Sequence, residues 1–375
     1  MFTKRIPLGN LFGVPVYMDL SWFVVAVLIT WSLATSLFPS QYKDLGPSTY
    51  WFMGLAGAIG LFLSILAHEL GHSVVAQQFS VPIRGITLFL FGGVAELARE
   101  PPSAWAEFWV AIAGPAVSAV VALGFLGLGA VAPLFLPVPI TGVLSYLGWV
   151  NGLVVVFNLI PAFPLDGGRV LRSLIWSWRG DLRQATRITA TLGTAFGTFL
   201  VLMGIFTLLQ GGLIQGIWSV MIGVFLRNGA QMSYQQALIR RALEGETISR
   251  FMTTTVIGVP HSLTIQQFVD DYLLHFHHKL YPVFSANQLL GSITSRDVLR
   301  VARGDWQTHT VGQMLQPLNA ENTISPQADA MEALARMNRE QQSRLMVVRD
   351  GQLVGVLTLK DLIDFMALKV ELDEP

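Results

Sequence analysis

The sequence predicts a polytopic α-helical membrane domain of about six transmembrane helices, followed by a cytosolic α/β domain built as a tandem module. Three observations carry this. Hydrophobic residues fill 52% of the 375 positions and charged residues only 13%, against about one-quarter charged in soluble chains. About 19 of the 48 charged residues lie in the first 230 positions, and the rest crowd into the remaining 145. Within that charged tail, Gly291-Ser-Ile-Thr294-Ser-Arg-Asp297 recurs 64 residues later as Gly355-Val-Leu-Thr358-Leu-Lys-Asp361.

Long apolar runs recur near 16–37, 51–79, 105–130, 140–160, 188–209 and 212–226. Each is close to the ~20 residues that cross a ~30 Å hydrocarbon core, the last being short. Met1 to Val16 does not read as a cleavable signal peptide, because Pro7, Gly9, Gly13 and Pro15 interrupt any compact apolar stretch. The first span is therefore retained. Alternating sides places Lys4, Arg5, Arg84, Arg99, Arg169, Arg172, Arg179, Arg183, Arg187, Arg227, Arg240 and Arg241 together, with only Lys43 opposite. The basic side is expected to face the cytoplasm, which puts both termini and the 80–104 and 161–187 loops there, in a multi-pass protein of the cell membrane.

Lys plus Arg equals Asp plus Glu at 24 each, so no general basic field attracts nucleic acid, and none is expected as a partner. The absence of cysteine excludes disulfides, thiolate zinc sites and cysteine nucleophiles. Any transition-metal site must use His, Asp or Glu.

The second span carries His68-Glu69-Leu70-Gly71-His72 in a stretch with no other ionisable residue between Tyr50 and Phe79. Histidines at i and i+4 stack on one helical face, where two imidazoles can bind one zinc ion, and Glu69 sits about 100° round, within reach of an attacking water. In a soluble helix this pattern arises by chance. Within hydrocarbon a buried carboxylate costs several kcal/mol unless it is paired, so three ionisable groups in five residues point to function.

A catalytic zinc usually takes three protein ligands, so two histidines leave the site short. The best candidate for the third is Asp166, in Asn158-Leu-Ile-Pro161-Ala-Phe-Pro164-Leu-Asp166-Gly-Gly-Arg169. Asp-Gly-Gly alone is a turn, and the prolines say only that a helix breaks there. Depth adds to this. His68 lies about 17 residues into its span, roughly 25 Å along the axis, near the basic side. Asp166 follows a span running the same way, and a proline-rich break carrying a carboxylate suits a water-filled cavity.

Together these residues resemble the site-2 protease family of intramembrane zinc metalloproteases, over about residues 5–230. The resemblance implies one zinc per chain held by His68, His72 and Asp166, Glu69 as general base, and Asn158 positioning substrate or the oxyanion. Gly114-Pro115 is similar to a small-residue motif of the family's third core helix. Ile86 to Glu96, with Gly92-Gly93, resembles a membrane-dipping strand segment, the alternative being a cytosolic loop. Asp19 reads as a helix cap beside Ser21.

Around each copy of the tail repeat the order is alike: a Met-containing turn, a Pro before a helix, then apolar strands at Tyr281–Phe284 and Leu345–Val348. The repeat resembles tandem CBS domains. This divides the chain into a protease domain (1–230), a linker (231–247) and CBS domains at 248–304 and 308–370. The resemblance implies an adenine nucleotide held by Thr294, Asp297, Thr358 and Asp361. Thr and Asp ahead of a helix also cap it whatever binds, and dimerisation is the alternative role of such a pair. His275, His277 and His278 read as a solvated helix end.

The sequence therefore points to an enzyme, a zinc endopeptidase cutting transmembrane segments of membrane proteins, with a CBS pair regulating it. A CBS-gated transporter or receptor, using the His and Glu residues as an ion path, is the second class.

Overall fold

The computed structural model describes residues 5–89, 92–97, 100–286 and 288–373. Lys4, Arg99 and the Leu90-Phe91 tip of the expected strand segment lie outside the described residues. The chain divides into two compact units, residues 1–235 and 236–375.

The first unit opens with two strands, β1 (Arg5–Leu11) and β2 (Val14–Asp19), rather than with the membrane span. The span expected from residue 16 starts at Ser21, because Val14, Val16 and Met18 alternate buried with half-buried neighbours and pair with β1 instead. Asp19 Oδ1 accepts from the Ser21 backbone N–H at 2.9 Å, at the entrance to helix α1 (Ser21–Gln41). Helix α2 (Pro47–Gln78) follows, with proline in its first turn where no N–H is needed. Strands β3 (Ile83–Phe89) and β4 (Gly92–Leu97) then complete a sheet of order β1-β2-β3-β4, in which only β2 and β3 run parallel. The segment left between loop and strand by the sequence is thus a strand pair. Val14, Val16, Ile86 and Leu88 pack against Leu66 of α2, setting the sheet beside the histidine-bearing helix.

Three more long helices, α3 (Ala104–Leu134), α4 (Val138–Asn158) and α6 (Leu182–Leu209), and α7 (Leu213–Leu243) make six among the described residues that are long and apolar enough to cross a bilayer. Ser103 caps α3 by accepting from Ala106 N–H at 3.2 Å, and Asp181 caps α6 by accepting from Arg183 N–H at 2.7 Å. The region expected as a 161–187 loop contains a further helix, α5 (Asp166–Arg179), closed by Gly180 at φ +71°. The last span is not short. Its apolar run ends near Arg227, but the Gln, Ala, Leu and Arg residues beyond are good helix formers and carry α7 through the expected linker to Leu243.

In the second unit, β5 (Val259–Pro260), β6 (Leu280–Ser285), β7 (Gln288–Thr294) and β8 (Gln316–Pro317) form one sheet, and β9 (Thr323–Ile324), β10 (Arg344–Arg349) and β11 (Gln352–Thr358) another. The repeat holds in three dimensions. The hairpin β6–β7 has its register shift at Val283/Phe284, and β10–β11 has its own at Val347/Val348, the same 64-residue offset. Buried Tyr281, Val283, Ile293 and Val298 in one core correspond to Leu345, Val347, Leu357 and Leu362 in the other. An early residue of each repeat bonds to the other repeat's hairpin: Thr253 exchanges backbone hydrogen bonds with Val356 of β11 in an isolated bridge, while Gln316 of β8 pairs with Ser292 of β7. Helices α8 (Ala330–Arg339) and α9 (Leu359–Asp373) complete the second module.

Candidate metal centre

Helix α2 presents His68, Glu69 and His72, all buried, and the start of α5 brings Asp166 to them. The i, i+4 spacing brings the two imidazoles together edge-to-face, with ring centroids 4.8 Å apart and ring planes 81° apart. Asp166 Oδ2 lies 3.0 Å from His68 Nε2 and 3.2 Å from His72 Nε2, and the two Nε2 atoms are 3.2 Å apart. The structure thus gathers the three residues singled out from the sequence, although 98 positions separate His68 from Asp166.

The far sides of both rings are anchored. His72 Nδ1 donates to the Val110 carbonyl oxygen at 2.6 Å, a partner that can only accept, so a neutral His72 keeps a bare lone pair on Nε2. His68 Nδ1 lies 2.9 Å from Ser118 Oγ, which accepts when the ring takes the same tautomer. Two imidazole lone pairs and a carboxylate oxygen then converge with no donor between them, an arrangement that calls for a cation. Donor atoms around a tetrahedral zinc with bonds of about 2.0–2.1 Å stand about 3.3 Å apart, close to the separations here, and three such donors leave a fourth position open. Nearby backbone is pared to match: a Cβ at Gly114 of α3 would stand 2.2 Å from His72 Nε2 and 2.7 Å from His68 Nε2.

Glu69 is held from the other side. Its Oε2 accepts from the Ala95 N–H of edge strand β4 at 3.1 Å. Asn158, at the end of α4, lines the same cavity of about 740 Å³ as His68, Glu69, His72 and Asp166, and its side chain makes no hydrogen bond among the described residues. The other walls are mainly apolar, from Ile65, Leu153, Trp218 and Phe225 among others.

The sequence reading missed what holds α5 in place. Chain 159–163 folds back over the helix start so closely that a Cβ at Gly167 would stand 2.3 Å from the Leu159 carbonyl oxygen, which explains the Asp-Gly-Gly triplet. One turn further on, Arg172 donates through Nε to Glu107 Oε1 of α3 at 2.6 Å and also bonds it through Nη2, with its guanidinium over the Phe163 ring. Glu107 is fully buried. A lone carboxylate in the third span was the available signal. The buried bond from Asn151 of α4 to Ser64 of α2, 3.0 Å long, had no equivalent signal.

In the second unit the two Thr/Asp pairs differ. Asp297 is fully buried, with Oδ2 accepting from Thr294 N–H and Oγ–H at 2.9 and 2.6 Å and Oδ1 accepting from Gln316 at 2.9 Å. Asp361 is half-buried, and among the described residues only its Oδ2 accepts, from Thr358 N–H at 2.8 Å. Thr253, which occupies on β11 the register that Gln316 occupies on β7, makes no side-chain bond to Asp361.

Comparison with known proteins agrees with the geometry. The model of peptidase family M50 matches residues 56–135 and 137–204, and that of the CBS domain matches 248–304 and 316–368. The chain is 35% identical over 96% of its length to sll0528 of Synechocystis sp., whose name places it among zinc metalloproteases and of which 95% is covered. It is 34% identical over 95% of its length to Rip3 of Mycobacterium tuberculosis, also named for that activity, with 91% of Rip3 covered. The solved site-2 protease from Methanocaldococcus jannaschii aligns at 28% identity with a TM-score of 0.43, covering 62% of this chain and 95% of that one. The chain belongs to peptidase family M50, the zinc metalloproteases that include site-2 protease, and is a multi-pass membrane protein with CBS domains.

Proposed function

We propose that the protein hydrolyses peptide bonds within transmembrane segments of membrane-protein substrates, as in regulated intramembrane proteolysis, using one zinc per chain held by His68, His72 and Asp166. The observation that carries this is the convergence of their three acceptor atoms at 3.0–3.2 Å, with both outer ring nitrogens anchored. Zinc there would polarise the scissile carbonyl and make the attacking water more acidic. Glu69, fixed by Ala95 N–H, takes a proton from that water and passes it to the leaving amine as the C–N bond breaks. Asn158, which lines the cavity with no side-chain hydrogen bond among the described residues, orients the substrate. A transmembrane helix must unwind to be cut, and the apolar walls leave its side chains in surroundings like those they left. Removing the metal with a chelator should abolish cleavage of a single-span substrate, and adding zinc back should restore it. Cleavage that survives demetallation would overturn the reading. Family membership favours this over the ion-path alternative.

The basic side of the first unit is placed in the cytoplasm, with both termini, on the one-sided distribution of arginine. The CBS pair is read as a regulatory module for an adenine nucleotide, and as a contact for a homodimer. Of its candidate residues, Thr358 and Asp361 are the pair with a carboxylate oxygen, Asp361 Oδ1, that accepts no hydrogen bond among the described residues, whereas Thr294 and Asp297 are occupied by each other and by Gln316. Ligand binding that favours one state of the protease would change cleavage by its differential affinity for the two states.

A further inference from the structure

Helix α5 carries two arginines one turn apart, and they are used differently. Arg172 spends its guanidinium on buried Glu107 and the Phe163 ring. Arg169, one turn after Asp166, lines the same cavity as His68, Glu69, Asn158 and Asp166. Its side chain is only 21% exposed, and its one ion-pair partner among the described residues is Glu107 Oε1, 3.9 Å from Nε and beyond hydrogen-bond distance. That oxygen already receives two N–H groups from Arg172. A guanidinium with five donors thus stands largely shielded from solvent, without a hydrogen bond among the described residues, in a chamber whose walls beyond His68, Glu69, His72, Asn158 and Asp166 are mainly apolar.

A substrate entering that chamber brings the groups Arg169 lacks. An unwound transmembrane helix exposes backbone carbonyl oxygens that have lost their i+4 donors, and in a water-poor cavity each needs a new one. Hydrolysis then turns one of them into a carboxylate: water adds its oxygen to the carbonyl carbon, the C–N bond breaks, and the proton goes to the amine. A planar guanidinium suits both, one carbonyl at a time before cleavage and the carboxylate in bidentate fashion after it. We propose that Arg169 is a substrate-binding residue of the cleavage site, which holds backbone carbonyls of the unwound segment and then the new C-terminal carboxylate of the product. This rests on the peptidase reading above.

The test uses the purified full-length chain in detergent with a single-span substrate, and as probes an apolar heptapeptide inhibitor with a free C-terminal acid and the same peptide as its amide. Wild type that cleaves no faster than Glu69→Gln would remove the peptidase reading itself. With that passed, Arg169→Gln should lose about 10- to 100-fold in kcat/KM, as expected for a lost charge-assisted hydrogen bond. Its zinc content should match wild type, and Arg169→Lys should recover part of the loss. The acid should inhibit wild type more strongly than the amide, and Arg169→Gln should shrink that preference about tenfold. A residue that only neutralises Glu107 would lower the melting temperature and leave the acid-to-amide ratio alone. An unchanged ratio in the variant overturns the proposal. So does equal inhibition of wild type by acid and amide, a result that needs no variant to fold.

Discussion

The Nδ1–H of His72 on α2 donates to the Val110 carbonyl oxygen on α3 across 2.6 Å, and this one bond decides which ring nitrogen faces Asp166. Because a helix carbonyl can only accept, the ring cannot flip without burying an unpaired group. The lone pair turned toward Asp166 is therefore a property of how two membrane helices pack, as much as of the His-x3-His spacing.

Gly114 lies on the same packing seam. Gly114→Ala would place a methyl 2.2 Å from His72 Nε2, so the paired rings must separate. Zinc per chain, measured by elemental analysis, should fall at least tenfold while the chain still purifies as a folded protein. Full zinc occupancy would show that the rings have slack the geometry denies.

The Glu107–Arg172 pair should behave as a buried ion pair. Arg172→Met strands a carboxylate that has no solvent exposure, and melting in detergent should reveal a loss of about 3 kcal/mol or more. Combining it with Glu107→Gln should return much of that stability, since the uncompensated charge is gone. If the double variant melts no higher than Arg172→Met, the penalty is not the stranded charge.

The two CBS halves should respond differently to the same change. Asp361→Asn should weaken binding of an adenine nucleotide, read by calorimetry on the full chain, with little change in stability. Asp297→Asn should instead lower the melting temperature, because both carboxylate oxygens accept bonds inside the fold. Equal loss of binding in both variants would mean that the two sites are used alike.

Glu246 gives the second unit a pH dependence. Its Oε1 lies 2.5 Å from Lys369 Nζ and its Oε2 meets Arg250, which holds the carboxyl below the usual carboxylate range. A carboxyl whose pKa is depressed on folding stabilises the fold above its unfolded value of about 4.3, and loses that contribution as pH falls through the folded one. Wild type should therefore melt above Glu246→Gln near pH 7, with the gap closing as pH drops below about 4. A gap that does not narrow as pH falls below about 4 would contradict this.

Much of the architecture was legible because its signals are local. A run of apolar residues, an i, i+4 histidine pair and a repeat of 64 residues are each visible in one stretch of chain. What was not legible depends on partners far away in sequence. The end of β2 read as the start of a membrane span because Val16 and Met18 are apolar in either setting, and only pairing with β1 and packing beside Leu66 of α2 make this stretch part of a sheet. Helix α5 was hidden by its glycines, which read as a turn but serve the close approach of residues 159–163. Ser118 and Val110 could not be singled out, since their value lies in facing two rings from positions 50 and 38 residues away. Arg169 had only its place after Asp-Gly-Gly to mark it.

The most direct measurement pairs zinc content with cleavage in Glu69→Gln. Substitution leaves all three proposed ligands, His68, His72 and Asp166, in place, so the account predicts one zinc per chain, as in wild type, and no detectable cleavage of a single-span substrate that wild type cuts. A variant that holds zinc and still cleaves at the wild-type rate would contradict it, because the proton would then be moved by some group other than the carboxylate held at Ala95.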